Sequence, residues 1–107
     1  MDNIRRGFGS VSIHADGAVG AADQLLLAAV SGRHAVIDSL VLSAATNMSA
    51  LIEDTAPTTL MGPLRCLAGD TVSFYDVRRK SVNVGLAIRA DVTSVGAWSI
   101  DGEGHYE

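Results

Sequence analysis

Residues 34–44 read HAVIDSLVLSA. Val36, Ile37, Val41 and Leu42 are strong β-formers, and nothing in the run breaks a strand. In a regular strand, alternate side chains share a face. That puts Val36, Leu40 and Leu42 on one side and Ile37 and Val41 on the other, so both faces are apolar. A strand apolar on both faces is covered on both. In a small antiparallel protein the second cover is often another subunit, which makes Ile37 and Val41 candidate subunit-interface residues. Asp38 interrupts the run and needs a partner or water.

Outward from this strand the chain continues in short units. Towards the C-terminus, residues 48–53 (MSALIE) read as a strand and residues 54–59 as a loop. Gly62-Pro63 is a turn signal. Residues 64–67 are extended, and Ala68-Gly69-Asp70 turns tightly into residues 71–76 (TVSFYD). Arg78-Arg79-Lys80 reads as a charged tip. Residues 81–90 (SVNVGLAIRA) alternate most regularly of all, and residues 95–101 form a last strand containing Trp98. The remainder, GEGHYE, reads as a solvated acidic tail.

Towards the N-terminus, residues 24–31 (QLLLAAVS) fit a helix or a strand by propensity. About eight residues is short for a helix and normal for a strand, so they read as a strand. Residues 16–22 read as a Gly-rich turn and residues 11–15 as a half-buried strand. Residues 1–10 read as a flexible arm, with Ile4 and Phe8 as apolar anchors and Arg5 and Arg6 as charged ones. About eight short strands with turn signals between them predict an all-β fold. The expected architecture is a jelly-roll-like antiparallel β-sandwich, one domain over residues 11–107 behind the arm.

Composition agrees. The 107 residues are 48% hydrophobic and 19% charged, a globular balance, and aromatics are scarce at 5%. The core must be aliphatic. A net charge of −4, from 12 acidic against 8 basic residues, argues against non-specific nucleic-acid binding. Lys80 is the only lysine; the remaining basic residues are arginines, which suit protein interfaces but also follow from a GC-rich genome. No apolar run approaches the ~18 residues of a membrane span. The start lacks the apolar segment of a signal peptide, so synthesis in a cytoplasm is expected.

Chemistry is sparse. His14, His34 and His105 show no metal-site spacing, and the single Cys66 sits in an apolar stretch that suggests a buried, inert thiol. His34 and Asp38 would share a strand face, half a metal site at most. No G-x-S-x-G elbow is present. Gly7-Phe8-Gly9 lacks the strand–turn–helix setting of a dinucleotide loop, and Asp101-Gly-Glu103-Gly-His105 lacks EF-hand spacing. The expectation is a non-enzyme with no catalytic residue, cofactor or metal.

Several stretches resemble small virion proteins of tailed phages. Leu27-Ala-Ala-Val30-Ser-Gly32-Arg33 leads into the Ala35–Ala44 strand. Leu60-Met61-Gly62-Pro63 follows, then Ala68-Gly69-Asp70 into Thr71–Asp76, and Val82-Asn83-Val84-Gly85-Leu86 resembles a penultimate strand. The similarity spans roughly residues 25 to 100. It implies a capsid decoration, or cement, protein: a homotrimer on the outside of the head, bound to the major capsid protein and engaging neither nucleic acid nor membrane. On that reading Ile4, Arg5, Arg6 and Phe8 are candidate capsid-binding residues. The alternative is a carbohydrate-binding β-sandwich of a phage tail or fibre, which would display exposed aromatics and acidic calcium ligands. A cupin-like enzyme would share the topology but needs clustered histidines.

Overall fold

A computed structural model describes residues 10–107. Nine strands run in order: β1 (Val11–Gly17), β2 (Ala21–Leu27), β3 (Ala35–Ala44), β4 (Met48–Asp54), β5 (Thr59–Cys66), β6 (Thr71–Phe74), β7 (Arg79–Lys80), β8 (Ile88–Ser94) and β9 (Trp98–Tyr106). Their antiparallel pairing is nested: β1 with β9, β2 with β8, β3 with β6, β4 with β5. The chain is thus a doubled ribbon. Rolling that ribbon brings β3 beside β9 and β4 beside β8. The result is two sheets, β1-β9-β3-β6 and β2-β8-β4-β5, with the two-residue β7 extending the β6 edge along β3. This is the jelly-roll order, so the all-β sandwich expected from the sequence is the fold observed.

The core lies between the sheets. Ile13, Leu27, Ile37, Leu40, Leu42, Ile52, Ile88 and Ile100 are its fully buried large apolar side chains, each worth roughly 1.5–3 kcal/mol of burial. Trp98 closes one end, its Nε1 donating to the Val19 carbonyl at 2.7 Å. The β1–β2, β3–β4, β5–β6 and β8–β9 turns gather at this Trp98 end. The β2–β3 and β4–β5 loops and the segment from β6 to β8 gather at the opposite end, around Asp54.

Strand β3 corrects one expectation. Its register with β9 jumps between Ile37 and Ser39, leaving Asp38 as the extra residue of a bulge. The bulge reverses the side-chain phase. Ile37 therefore joins Leu40, Leu42 and Ala44 in the core of its own chain and is completely buried there. It is not available as a subunit contact. Val41 does lie on the outer face, opposite Asp101 and Ser73, and is half-buried.

Other segments also differ from the sequence reading. Residues 81–87 form a loop despite their alternation, and β8 begins only at Ile88. The supposed tail is the second half of β9. Gly62-Pro63 is not a turn but an irregularity inside β5, an edge strand on which a missing proline N–H costs no ladder bond. The anchors Ile4, Arg5, Arg6 and Phe8 lie outside the described residues.

Candidate functional site

The most heavily built polar centre is Asp54. It follows Met48, Ala50 and Ile52 on the core face of β4 and is completely buried. Its Oδ1 accepts the backbone N–H of Ala56 at 2.9 Å and of Thr58 at 2.8 Å, and its Oδ2 accepts the N–H of Val82 at 2.8 Å. Burial alone would push the carboxyl up. The Val82, Thr58 and Ala56 donors, helped by the charge of Arg89, outweigh it and hold the group below the ordinary carboxylate value. The carboxylate ties the β4–β5 loop to the 81–87 loop. Every oxygen has a structural duty, so the residue is an anchor rather than a reagent.

The outer face of the β1-β9-β3-β6 sheet carries two histidine–carboxylate clusters. Cross-strand register places His14 opposite Asp101, with Nδ1 2.5 Å from Asp101 and Nε2 3.2 Å from Asp16. His105 sits between Asp38, 2.7 Å from Nδ1, and Glu107, 3.0 Å from Nε2. The Asp101 hydrogen bond, then that of Asp16, raises the His14 pKa. For His105 burial works against protonation, but Asp38 and Glu107 outweigh it and the pKa is also raised. Both rings should therefore titrate above 6.5 in an NMR pH series, and Asp101→Asn should bring His14 down towards 6.5. A raised folded pKa stabilises below 6.5, and the benefit is lost as pH rises through the folded value.

A third cluster sits on the opposite sheet. Asp23, Glu53 and Asp91, from β2, β4 and β8, bring carboxylate oxygens within 4.8 Å of one another, the only metal-like group among the described residues. Arg89 already balances them: its Nε lies 3.2 Å from both Asp23 and Glu53. Asp91 accepts the backbone N–H of Asp23, which holds a left-handed conformation at φ 57°. Arg89→Gln should lower stability by about 1–2 kcal/mol in urea unfolding, since Glu53 is nearly buried and would lose its counter-charge. Strand order alone assembles this cluster, so sequence spacing gives no signal for it.

The remaining sequence candidates fall as follows. Cys66 is buried, and burial and the nearby Asp70 charge raise its pKa, which makes it a poor nucleophile. Trp98 is a core residue. His34 does not pair with Asp38; its Nδ1 lies 2.8 Å from the Ser81 carbonyl and braces a loop. A shallow depression of about 620 Å³ at the Trp98 end is lined by Trp98 itself, Asp16, Asp70, Ser43, Ser99, Thr71 and glycines and alanines, with no histidine or cysteine. Comparison with protein-family models, curated proteins and solved structures finds no match.

Proposed function

We propose that the chain is a virion structural protein of a tailed phage, a decoration protein that binds the outside of the head and braces contacts between major capsid subunits. The observation that supports this most is how the reactive side chains are used. Asp54 and Cys66 are buried within the framework, and among the described residues no buried side-chain N or O lacks a partner. His14 and His105 face outward, already paired with carboxylates. Jelly rolls serve viral capsids, lectins and cupins alike, so the fold supports the proposal only by analogy. The sequence resemblance selects among those uses. The carbohydrate-binding alternative loses its largest aromatic, since Trp98 is buried.

Self-association as a trimer is part of the proposal. The surface around Val41 is the candidate contact: Val41 stands opposite Ser73 and Asp101, with the small Ser39, Ser43, Thr71 and Ser99 beside it. Light scattering should give three chains per particle, and added protein should raise the heat resistance of purified empty heads at a saturating stoichiometry. A strict monomer that leaves the heads unchanged would sink the proposal.

A further inference from the structure

We infer that the Asp54 end of the sandwich is a preformed docking surface for an acidic protein surface, with Val82 and Val84 as apolar contacts and Arg33, Arg78 and Arg79 as the charged rim. This rests on the decoration proposal, under which the acidic partner surface belongs to the head shell.

The first support is a mismatch between exposure and rigidity. Val82 and Val84 are 51% and 49% exposed, with Val30 at 37% on the neighbouring loop. Exposed apolar side chains are common by themselves, and Val19, Leu67 and Val95 at the Trp98 end are more exposed still, so what sets the 81–87 loop apart is its rigidity. Five of its seven residues are tied by hydrogen bonds, with Val84 held between the tied Asn83 and Gly85. Ser81 donates its N–H to Ala35 at 2.9 Å and its Oγ to Asn83 at 2.8 Å. Val82 donates to the buried Asp54 carboxylate. Gly85 donates to the Arg33 carbonyl at 2.9 Å, and Ala87 accepts from Thr55 at 3.1 Å. Burying a carboxylate is costly, and here it holds the backbone under Val82. A loop ordered in advance loses little entropy on binding, which is how preorganisation raises affinity.

The second support is charge. Of the six basic residues among those described, five (Arg33, Arg78, Arg79, Lys80 and Arg89) lie at or beside this end; Lys80 is paired with Glu107, and Arg89 with Asp23 and Glu53. The acids there are engaged: Asp54 by backbone donors, Asp38 by His105, Glu107 by His105 and Lys80. Asp76 shares a segment with the exposed Arg78 and Arg79, and neither of these nor the exposed Arg33 forms an ion pair among the described residues. Asp76 and Arg78 both hold left-handed backbone, at φ 53° and 50°. That is uncommon for non-glycine residues and tends to mark functional segments. Apolar valines beside arginines suit a protein better than a nucleic acid, which the overall charge of −4 also disfavours.

The test uses the full chain and purified empty heads of the phage that encodes it. Binding of wild type is compared with Val82→Asp/Val84→Asp, with Arg78→Glu/Arg79→Glu, and with Val19→Asp/Val95→Asp at the Trp98 end. All six positions are exposed, and matching unfolding midpoints establish that each variant is folded. The valine pair at the Asp54 end should weaken binding by about thirtyfold or more and the arginine pair by about tenfold, with a shallower salt dependence. The Trp98-end pair should bind as wild type. Equal binding by all variants, or loss only in the Trp98-end pair, overturns the inference and leaves the decoration proposal standing. Wild type that ignores the heads overturns both. Variants that change the mass of the free protein would mark this end as a self-contact, and wild type that binds duplex DNA as well as heads would mark it as a nucleic-acid site; either result overturns the inference.

Discussion

Asp54→Ala should lower stability by about 3–4 kcal/mol, read as a fall in the urea midpoint at unchanged slope. The substitution strands three backbone N–H groups that now share one carboxylate. An orphaned buried donor costs about 1–3 kcal/mol. Ala56 and Thr58 lie on an exposed loop where water can replace the lost acceptor, so the three penalties do not add in full. Against a total of about 5–15 kcal/mol for a domain this is a severe loss. Asp54→Asn should cost less, about 2 kcal/mol: the amide oxygen still serves Ala56 and Thr58, while the NH₂ faces the Val82 N–H donor to donor. The pH dependence separates the carboxylate from its shape. A depressed folded pKa stabilises fully above the ordinary value of 3.8, and that contribution disappears as pH falls through the folded pKa. Wild type should therefore lose more stability on acidification than Asp54→Asn. Hydrogen exchange at the Val82 amide should accelerate in the alanine variant, because the 81–87 loop loses its tether. Wild-type stability in Asp54→Ala would contradict the anchor.

The fold was legible in the sequence because the pattern of short apolar runs separated by turns is a property of the whole chain. The misreadings cluster where one local rule gave way to a tertiary demand. Residues 81–87 alternate like a strand, yet Val82 and Val84 point into solvent. Apolar periodicity reports a core only when apolar residues are there to be buried, and here the segment is drawn across the end of the sandwich by its bonds to Ala35, Arg33 and Asp54. Gly102 and Gly104 suggested a tail because glycine commonly marks loops. Here they mark a close approach of two backbones. Asp38 looked like an interruption of β3, whereas it is the inserted residue that changes the strand's phase. Of the polar clusters, none was visible beforehand: His14 and Asp101 meet only because β1 pairs with β9, and Asp54 reaches Val82 only because the roll closes over the end of β4.

Gly102→Ala should be at least as damaging as the loss of the Asp54 carboxylate, costing about 3 kcal/mol or more. A Cβ at this position would overlap the carbonyl oxygen of Ser39 and press on Leu40 Cα at 3.1 Å. These are backbone atoms of β3, and β3 cannot retreat. It is held on its far side by β6, with Leu40 opposite Phe74, and along its near side by β9 itself. Overpacking against yielding side chains costs about 1–3 kcal/mol, and an immovable strand belongs at or above the upper end. Gly104→Ala should be somewhat milder. Its Cβ would meet the Val36 carbonyl at 2.5 Å, but its second contact, Leu27 Cδ1 at 2.7 Å, belongs to a side chain that can rotate. Gly32→Ala provides the contrast: φ is +75° but nothing lies within 4 Å, so only backbone strain of about 1 kcal/mol is expected. Urea unfolding of the three variants should rank them in that order. The ranking tests the bulge, because the two β9 glycines are crowded by the backbone on either side of Asp38. Without the bulge Ile37 would share the outer face with Val41, as a regular strand requires. A Gly102→Ala protein as stable as wild type would remove the bulge from the argument and restore Ile37 as a surface residue. A strongly destabilised one would mean that glycine on β9 is what allows β3 to turn Ile37 inward and leave Val41 as its outward apolar contact.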